Sequence, residues 1–184
     1  MIKVNKEWSL LLDRDGVINI KLENDYVKNW SEFRPTIGII NVLQKLSNVF
    51  GRILVFTNQQ GIGKGIMTEN DLAVIHQNML ALFEEHHIKI DGIYYCPHLE
   101  SDDCVCRKPR AGLAVSAVDD FPEIDFKKSI MLGDSISDME FGKSIKATTI
   151  MLSSEPIDNV FIDYNIKSFD ELLSLLSLLT LGDE

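Results

Sequence analysis

Short apolar runs alternate along the chain with longer stretches whose apolar residues recur every three or four positions. The runs at 8–12, 52–56, 91–96, 129–133 and 148–152 are too short for helices and read as strands buried on both faces. Between them, Ile39, Val42, Leu43, Leu46 and Phe50 fall on one helical face, and Leu72, Ile75, Met79, Leu82 and Phe83 on another. Ser137 followed by Glu140, and Ser168 followed by Glu171, have capping-box spacing and predict helix starts. Strand and helix alternating five times predicts an α/β fold, a three-layer Rossmann-like parallel sheet with helices on both faces. Residues 1–184 are expected to form one domain, without repeat or linker.

Composition narrows the partners more than the fold. Hydrophobic residues make up 45% of the 184 and charged residues 25%, the balance of a soluble globule. A net charge of -10 repels nucleic acid and anionic membrane, so any anion site must be built from a few local cations. The apolar run at 8–12 is ended by Asp13, and the leucine-rich tail from Leu172 to Leu181 is interrupted by Ser174, Ser177 and Thr180. Neither is long enough to span a bilayer. A cytoplasmic protein with no membrane and no nucleic-acid partner is expected, and with it reduced thiols.

In a parallel sheet, ligands gather beyond the carboxyl ends of the strands, so the residues that follow each strand carry the chemistry. The first strand ends in Asp13 and Asp15, two carboxylates before a glycine; such acids also open ordinary loops. The second ends in Thr57 and Asn58, followed by Gln59, Gln60 and a glycine-rich stretch containing Lys64. Those glycines would let backbone N–H groups approach an anion, or simply make a turn. The spacing of a nucleotide P-loop is absent, because Lys64 is followed by Gly65. Arg107 and Lys108 come after the third strand, and Asp134 and Asp138 after the fourth. Acid pair, hydroxyl, cation and acid together suit phosphate-ester hydrolysis, which needs a nucleophile, a leaving-group acid and neutralisation of phosphoryl charge. Carboxylates at such a site suit Mg²⁺.

All three cysteines lie in "CPHLESDDCVC", residues 96–106. A disulfide would use only two of them, and there is no C-x-x-C redox motif. Cys96, His98, Cys104 and Cys106 would complete a closed, tetrahedral Zn²⁺ shell, and Arg107 and Lys108 follow directly on its last ligand. His76, His86 and His87 read as surface residues.

The stretches "LLDRDGVIN", "TNQQGIGKG", "CVCRKP" and "GDSISD" follow one another at these strand ends, and over residues 10–138 the chain resembles the haloacid dehalogenase superfamily of phosphatases. The resemblance implies Asp13 as a nucleophile that forms an aspartyl-phosphate and Asp15 as general acid and base. It implies Thr57 and Lys108 on the transferring phosphoryl oxygens, and Mg²⁺ held by Asp13, Asp134 and the backbone of Asp15. Asp138 would order the loop around the metal. Residues 16–51 and 58–90 leave no room for a large cap, so short loops must set selectivity.

Among capless members, "DGIYYCPH", "CVCRKP" and the loop at 25–35 resemble the heptose 1,7-bisphosphate phosphatases, with Tyr26 at a substrate-loop position. This implies a phosphorylated sugar as substrate, a monomer, and substrate contacts from Tyr26, Asn58, Gln59, Gln60, Lys64, Arg107 and Lys108. Ser135 departs from the pattern, standing where those enzymes often carry a lysine. Histidinol phosphate is the alternative substrate, and a non-catalytic phosphate-binding protein the alternative class. Neither Asp13 nor Asp15 is missing, which favours catalysis.

Overall fold

The computed structural model describes residues 2–178. Six strands form one parallel sheet: β2 (Ser9–Leu12), β3 (Arg52–Asn58), β4 (Gly92–Cys96), β5 (Ser129–Gly133), β6 (Thr148–Leu152) and β7 (Tyr164–Ile166), in the spatial order β4-β3-β2-β5-β6-β7. The strand carrying Asp13 at its end is central, paired with β3 on one side and β5 on the other. Chain order runs outward in both directions from that centre, which makes the carboxyl end of β2 the topological switch point where ligands bind.

Both faces of the sheet are covered, and the two central strands, β2 and β5, are buried at every position. Leu10, Leu12, Ile53, Val55, Ile130 and Leu132 face α1 (Ile39–Leu46), α2 (Glu69–Glu85) and α5 (Phe169–Leu175) in the larger core. Leu11, Leu54, Phe56 and Met131 face α3 (Gly112–Asp120) and α4 (Ile136–Ser144) in a smaller one. The three layers are those read from the sequence, and the five long strands fall within a residue or two of their expected places.

Several local expectations are corrected. Helix α4 starts two residues early: Ser135 and Asp138, rather than Ser137 and Glu140, form its capping box. Ser168 does cap α5, accepting from the backbone of Glu171, but the Glu171 carboxylate accepts from Lys167 N rather than closing the box. Phe50 is buried beyond the end of α1. Helix α3 fills a crossover that the alternation implies but that no apolar face marks in the sequence, because its core contacts are Leu113, Ala114 and Ala117 and two alanines dilute the apolar period. The edge strand β7 exposes two of its three residues, and β1 (Ile2–Val4) and β8 (Leu176–Leu178) pair only with each other. The leucine-rich tail therefore leaves the helix after Leu175; its Thr180 and Leu181 lie outside the described residues. No helix among the described residues is long and apolar enough to cross a membrane.

Candidate active site

Asp13 continues β2 by one hydrogen bond, its N–H donating to Leu132 O at 3.0 Å, so its side chain emerges between the ends of β3 and β5. Lys108 reaches it from the loop before α3. The buried ammonium of Lys108 donates to Asp13 Oδ1 at 2.8 Å and to the Phe56 carbonyl at 2.6 Å, and pairs with Asp138 Oδ1 at 2.6 Å. Three donors meet three acceptors, so this lysine is fully committed. Burial works against its charge, yet Asp13 and Asp138 raise its pKa above that of an ordinary lysine. Burial pushes the Asp13 pKa up to about 7; Lys108 works against this, and the carboxylates of Asp138 and Asp15 add to it.

Asp138 is placed by its own helix start. Its Oδ2 accepts from Ser135 N at 3.1 Å and from Ser135 Oγ at 2.6 Å. Gly133 makes the approach feasible, since a Cβ there would lie 2.3 Å from that of Asp138. Gly16 does the same for Asp134: its φ is +98°, and a Cβ would lie 2.2 Å from Asp134 Oδ2.

Asp15 sits in a clamp. Arg14 Nη2 donates to both of its oxygens at 3.0 and 2.9 Å, Asn19 Nδ2 to Oδ1 at 2.9 Å and Gln59 Nε2 to Oδ2 at 2.8 Å. Burial opposes ionisation, but Arg14 and these hydrogen bonds outweigh it and hold the Asp15 pKa below the ordinary carboxylate value. His76, expected at the surface, is instead buried against this clamp, with Nε2 3.3 Å from Arg14 Nη1. Burial and the Arg14 charge push its pKa down to about 3, so it is neutral.

Oxygens of Asp13, Asp134 and Asp138 lie within 4.8 Å of one another. Asp134 Oδ1 is buried without a hydrogen-bond partner, an orphaned acceptor of the hard-oxygen type that Mg²⁺ takes. The donor set suits Mg²⁺ and contains the expected Asp13 and Asp134, but its third carboxylate is Asp138, since that of Asp15 is taken up by Arg14, Asn19 and Gln59.

A cavity of about 240 Å³ opens over these groups. Asp13, Asp15, Tyr26, Thr57, Asn58, Arg107, Lys108 and Asp134 line it, as does Lys21, which no sequence signal picked out. Four of the expected substrate contacts have other partners. Asn58 spends its amide on the Lys108 backbone, accepting from its N–H at 3.0 Å and donating to its carbonyl at 3.1 Å. Gln59 is buried and donates to Asp15 and Thr57 Oγ1. Gln60 Nε2 donates to the Tyr26 hydroxyl at 2.9 Å, and Lys64 Nζ lies 5.2 Å from the centre of the Tyr26 ring. Nor is the glycine stretch an anion cradle: the N–H groups of Gly63, Lys64 and Gly65 donate to Pro97, Gln60 and Ile62 carbonyls. It is the turn that positions Tyr26.

Next to this cavity, Cys96, His98, Cys104 and Cys106 converge. Their sulfurs are 2.9 to 3.5 Å apart, with His98 Nδ1 3.2 Å from Cys106 Sγ and 3.6 Å from Cys96 Sγ. None of the cysteines is in a disulfide. Ligands of tetrahedral Zn²⁺ stand roughly 3.5 to 3.8 Å apart, so four soft donors facing one point fit that ion with a small expansion. Arg110 closes the loop from outside, donating to the carbonyls of Asp103 and Cys104.

A buried strand-end aspartate paired with lysine, a second aspartate two residues on and a metal-type carboxylate on the neighbouring strand define a phosphoryl-transfer site on a parallel sheet. Residues 11–161 match the family model described as polynucleotide kinase 3 phosphatase. A D-glycero-alpha-D-manno-heptose-1,7-bisphosphate 7-phosphatase of Campylobacter jejuni is 38% identical over 169 residues, covering 92% of this chain and 95% of the relative. One of Mycobacterium tuberculosis is 41% identical over 145 residues, covering 79% and 76%. The fold is shared with the crystal structure of D,D-heptose 1,7-bisphosphate phosphatase from B. bronchiseptica complexed with magnesium and phosphate, at a TM-score of 0.81 and 22% identity, over 91% of this chain and 99% of that one. The chain belongs to the haloacid dehalogenase-like phosphatases, in the family of these heptose bisphosphate phosphatases.

Proposed function

We propose that the chain hydrolyses the 7-phosphate of D-glycero-D-manno-heptose 1,7-bisphosphate, acting as a single-domain monomer. The observation that supports this most is the buried Asp13–Lys108–Asp138 set at the switch point, in a family whose relatives at 38% and 41% identity carry that activity in their names. Asp13 attacks phosphorus, the P–O bond to the sugar breaks, and Asp15 gives its proton to the leaving oxygen. Asp15 then takes a proton from water, whose oxygen attacks the aspartyl-phosphate and releases inorganic phosphate.

The clamp around Asp15 favours its ionised form, which suits the second step. For the first, the incoming phosphate anion raises the Asp15 pKa by like-charge repulsion and favours the proton it must deliver. The Thr57 hydroxyl holds a transferring oxygen, and Lys108 joins it by giving up one of its present carboxylate partners when the phosphate enters. Asp13, Asp134 and the backbone carbonyl of Asp15 would hold Mg²⁺, which when bound would supply charge neutralisation between the anionic nucleophile and the ester. Cys96, His98, Cys104 and Cys106 would hold Zn²⁺, which would supply fixation of the loop and no chemistry. Arg107 lines the cavity with a buried, unpartnered Nη1, and we assign it to the substrate's second phosphate.

Phosphate release with Mg²⁺ tests the proposal over a panel: both anomers of the heptose bisphosphate, a hexose bisphosphate, histidinol phosphate and a 3′-phosphorylated oligonucleotide, with Asp13→Asn as blank. The α-anomer is the form named for both relatives. The heptose bisphosphate should give the highest kcat/KM. A higher value for histidinol phosphate or the oligonucleotide would replace the assigned substrate, and no release above the blank would end the enzymatic reading.

A further inference from the structure

The cavity contains two ammonium groups, and they are held in opposite ways. Lys108 is buried with all three donors engaged. Lys21 is a residue of the loop after β2 whose side chain is 55% exposed, and its ammonium makes one ion pair, with Asp134 Oδ2 at 2.6 Å. Its backbone is anchored just upstream: Asn19 bridges to Asp15 and Pro35, and Ile20 N–H donates to Arg34 O at 2.8 Å. The root of Lys21 is therefore fixed beside the cavity while its head has only one electrostatic tie.

That tie is to the carboxylate whose other oxygen is buried and unpartnered, the one that fits a divalent cation. A divalent ion on Asp134 repels the Lys21 ammonium, which has no second acceptor to hold it there, whereas Lys108 beside Asp13 is kept in place by the Phe56 carbonyl and Asp138. Ser135, next to Asp134 on the same wall, brings no charge of its own. When metal takes Asp134, Lys21 is displaced within a cavity whose incoming ligand is a phosphate anion.

We propose that Lys21 is an exchange cation: it neutralises Asp134 in the metal-free protein and, once metal is bound, moves onto a phosphate oxygen of the substrate. Metal and phosphate then bind cooperatively through this side chain. The inference rests on the phosphatase reading of the site but not on the identity of the sugar.

The test is isothermal titration of zinc-loaded wild type, Lys21→Met and Lys21→Arg, with Mg²⁺ alone and then with inorganic phosphate at saturating Mg²⁺. Lys21→Met should bind Mg²⁺ about threefold more tightly, because a competing partner is gone. It should bind phosphate about tenfold more weakly, because a charge-assisted hydrogen bond is lost. Lys21→Arg should restore both toward wild type. Unchanged or weaker Mg²⁺ binding in Lys21→Met, or unchanged phosphate binding, would overturn the proposal. Both probes omit the sugar, so failure of the heptose assay leaves this result separate.

Discussion

The two clusters of ligating side chains differ in how they are built. The carboxylate set is assembled from two distant chain segments, with Asp13 at the end of β2 and both Asp134 and Asp138 in the stretch that leads from β5 into the first turn of α4. Its geometry is inherited from the sheet, whose central strands are completely buried. The thiolate and imidazole set is contained in eleven residues, 96–106, and only its first member belongs to a strand. One depends on the global fold, the other on a local loop that an ion would order. Lys108 joins them: it follows the loop by two residues, yet its ammonium is the buried centre of the carboxylate set. Asn58 holds the Lys108 backbone from β3 by two hydrogen bonds, so the sheet and the loop both determine where that charge sits.

The contrast predicts separable losses. Asp13→Asn or Asp134→Asn should abolish turnover by about four orders of magnitude or more while leaving zinc content at one per chain, measured by phosphate release and metal analysis. Cys106→Ala should lose zinc and lower kcat/KM by roughly 10- to 100-fold, with Mg²⁺ affinity nearly retained, since the carboxylates stand on the sheet. Full activity in that zinc-free variant would show that the loop does not position the cations. Asn58→Ala should keep zinc and lower kcat by about tenfold, through the two lost hydrogen bonds to the Lys108 backbone.

The smallest effect is on pH dependence. In the metal-free protein the Asp13 pKa is pushed up to about 7, above its unfolded value, so its protonated form favours folding at low pH and that contribution is lost as pH rises through 7. Metal binding requires the ionised form. Mg²⁺ affinity should therefore fall severalfold between pH 8 and pH 6, and the rise in melting temperature given by Mg²⁺ should be larger at pH 8. Equal increments at the two pH values would place the titrating group outside the metal's reach.

What could be read from the chain follows the same division. The zinc-type set is legible because its spacing is local, and Asp13, Asp15, Thr57 and Asp134 are legible because each follows a short apolar run that ends at the same edge of the sheet. The roles of Asn58 and Gln59 are not, because a strand-end amide is equally suited to substrate and to protein. Only the fold brings Lys108 and Asp15 within its reach. His76 and Lys21 were missed for the same reason: their partners, Arg14 and Asp134, are 62 and 113 residues away. The strands β1, β7 and β8, at three residues each, are too short to leave a pattern.

Time-resolved ³¹P NMR of the heptose 1,7-bisphosphate with Mg²⁺ tests the central claim most directly. The account predicts that the resonance of the phosphate on the primary carbon, C7, decays as inorganic phosphate grows, while the anomeric phosphate at C1 persists and Asp13→Asn leaves the spectrum unchanged. Loss of the C1 resonance first, or decay in Asp13→Asn at the wild-type rate, would contradict it.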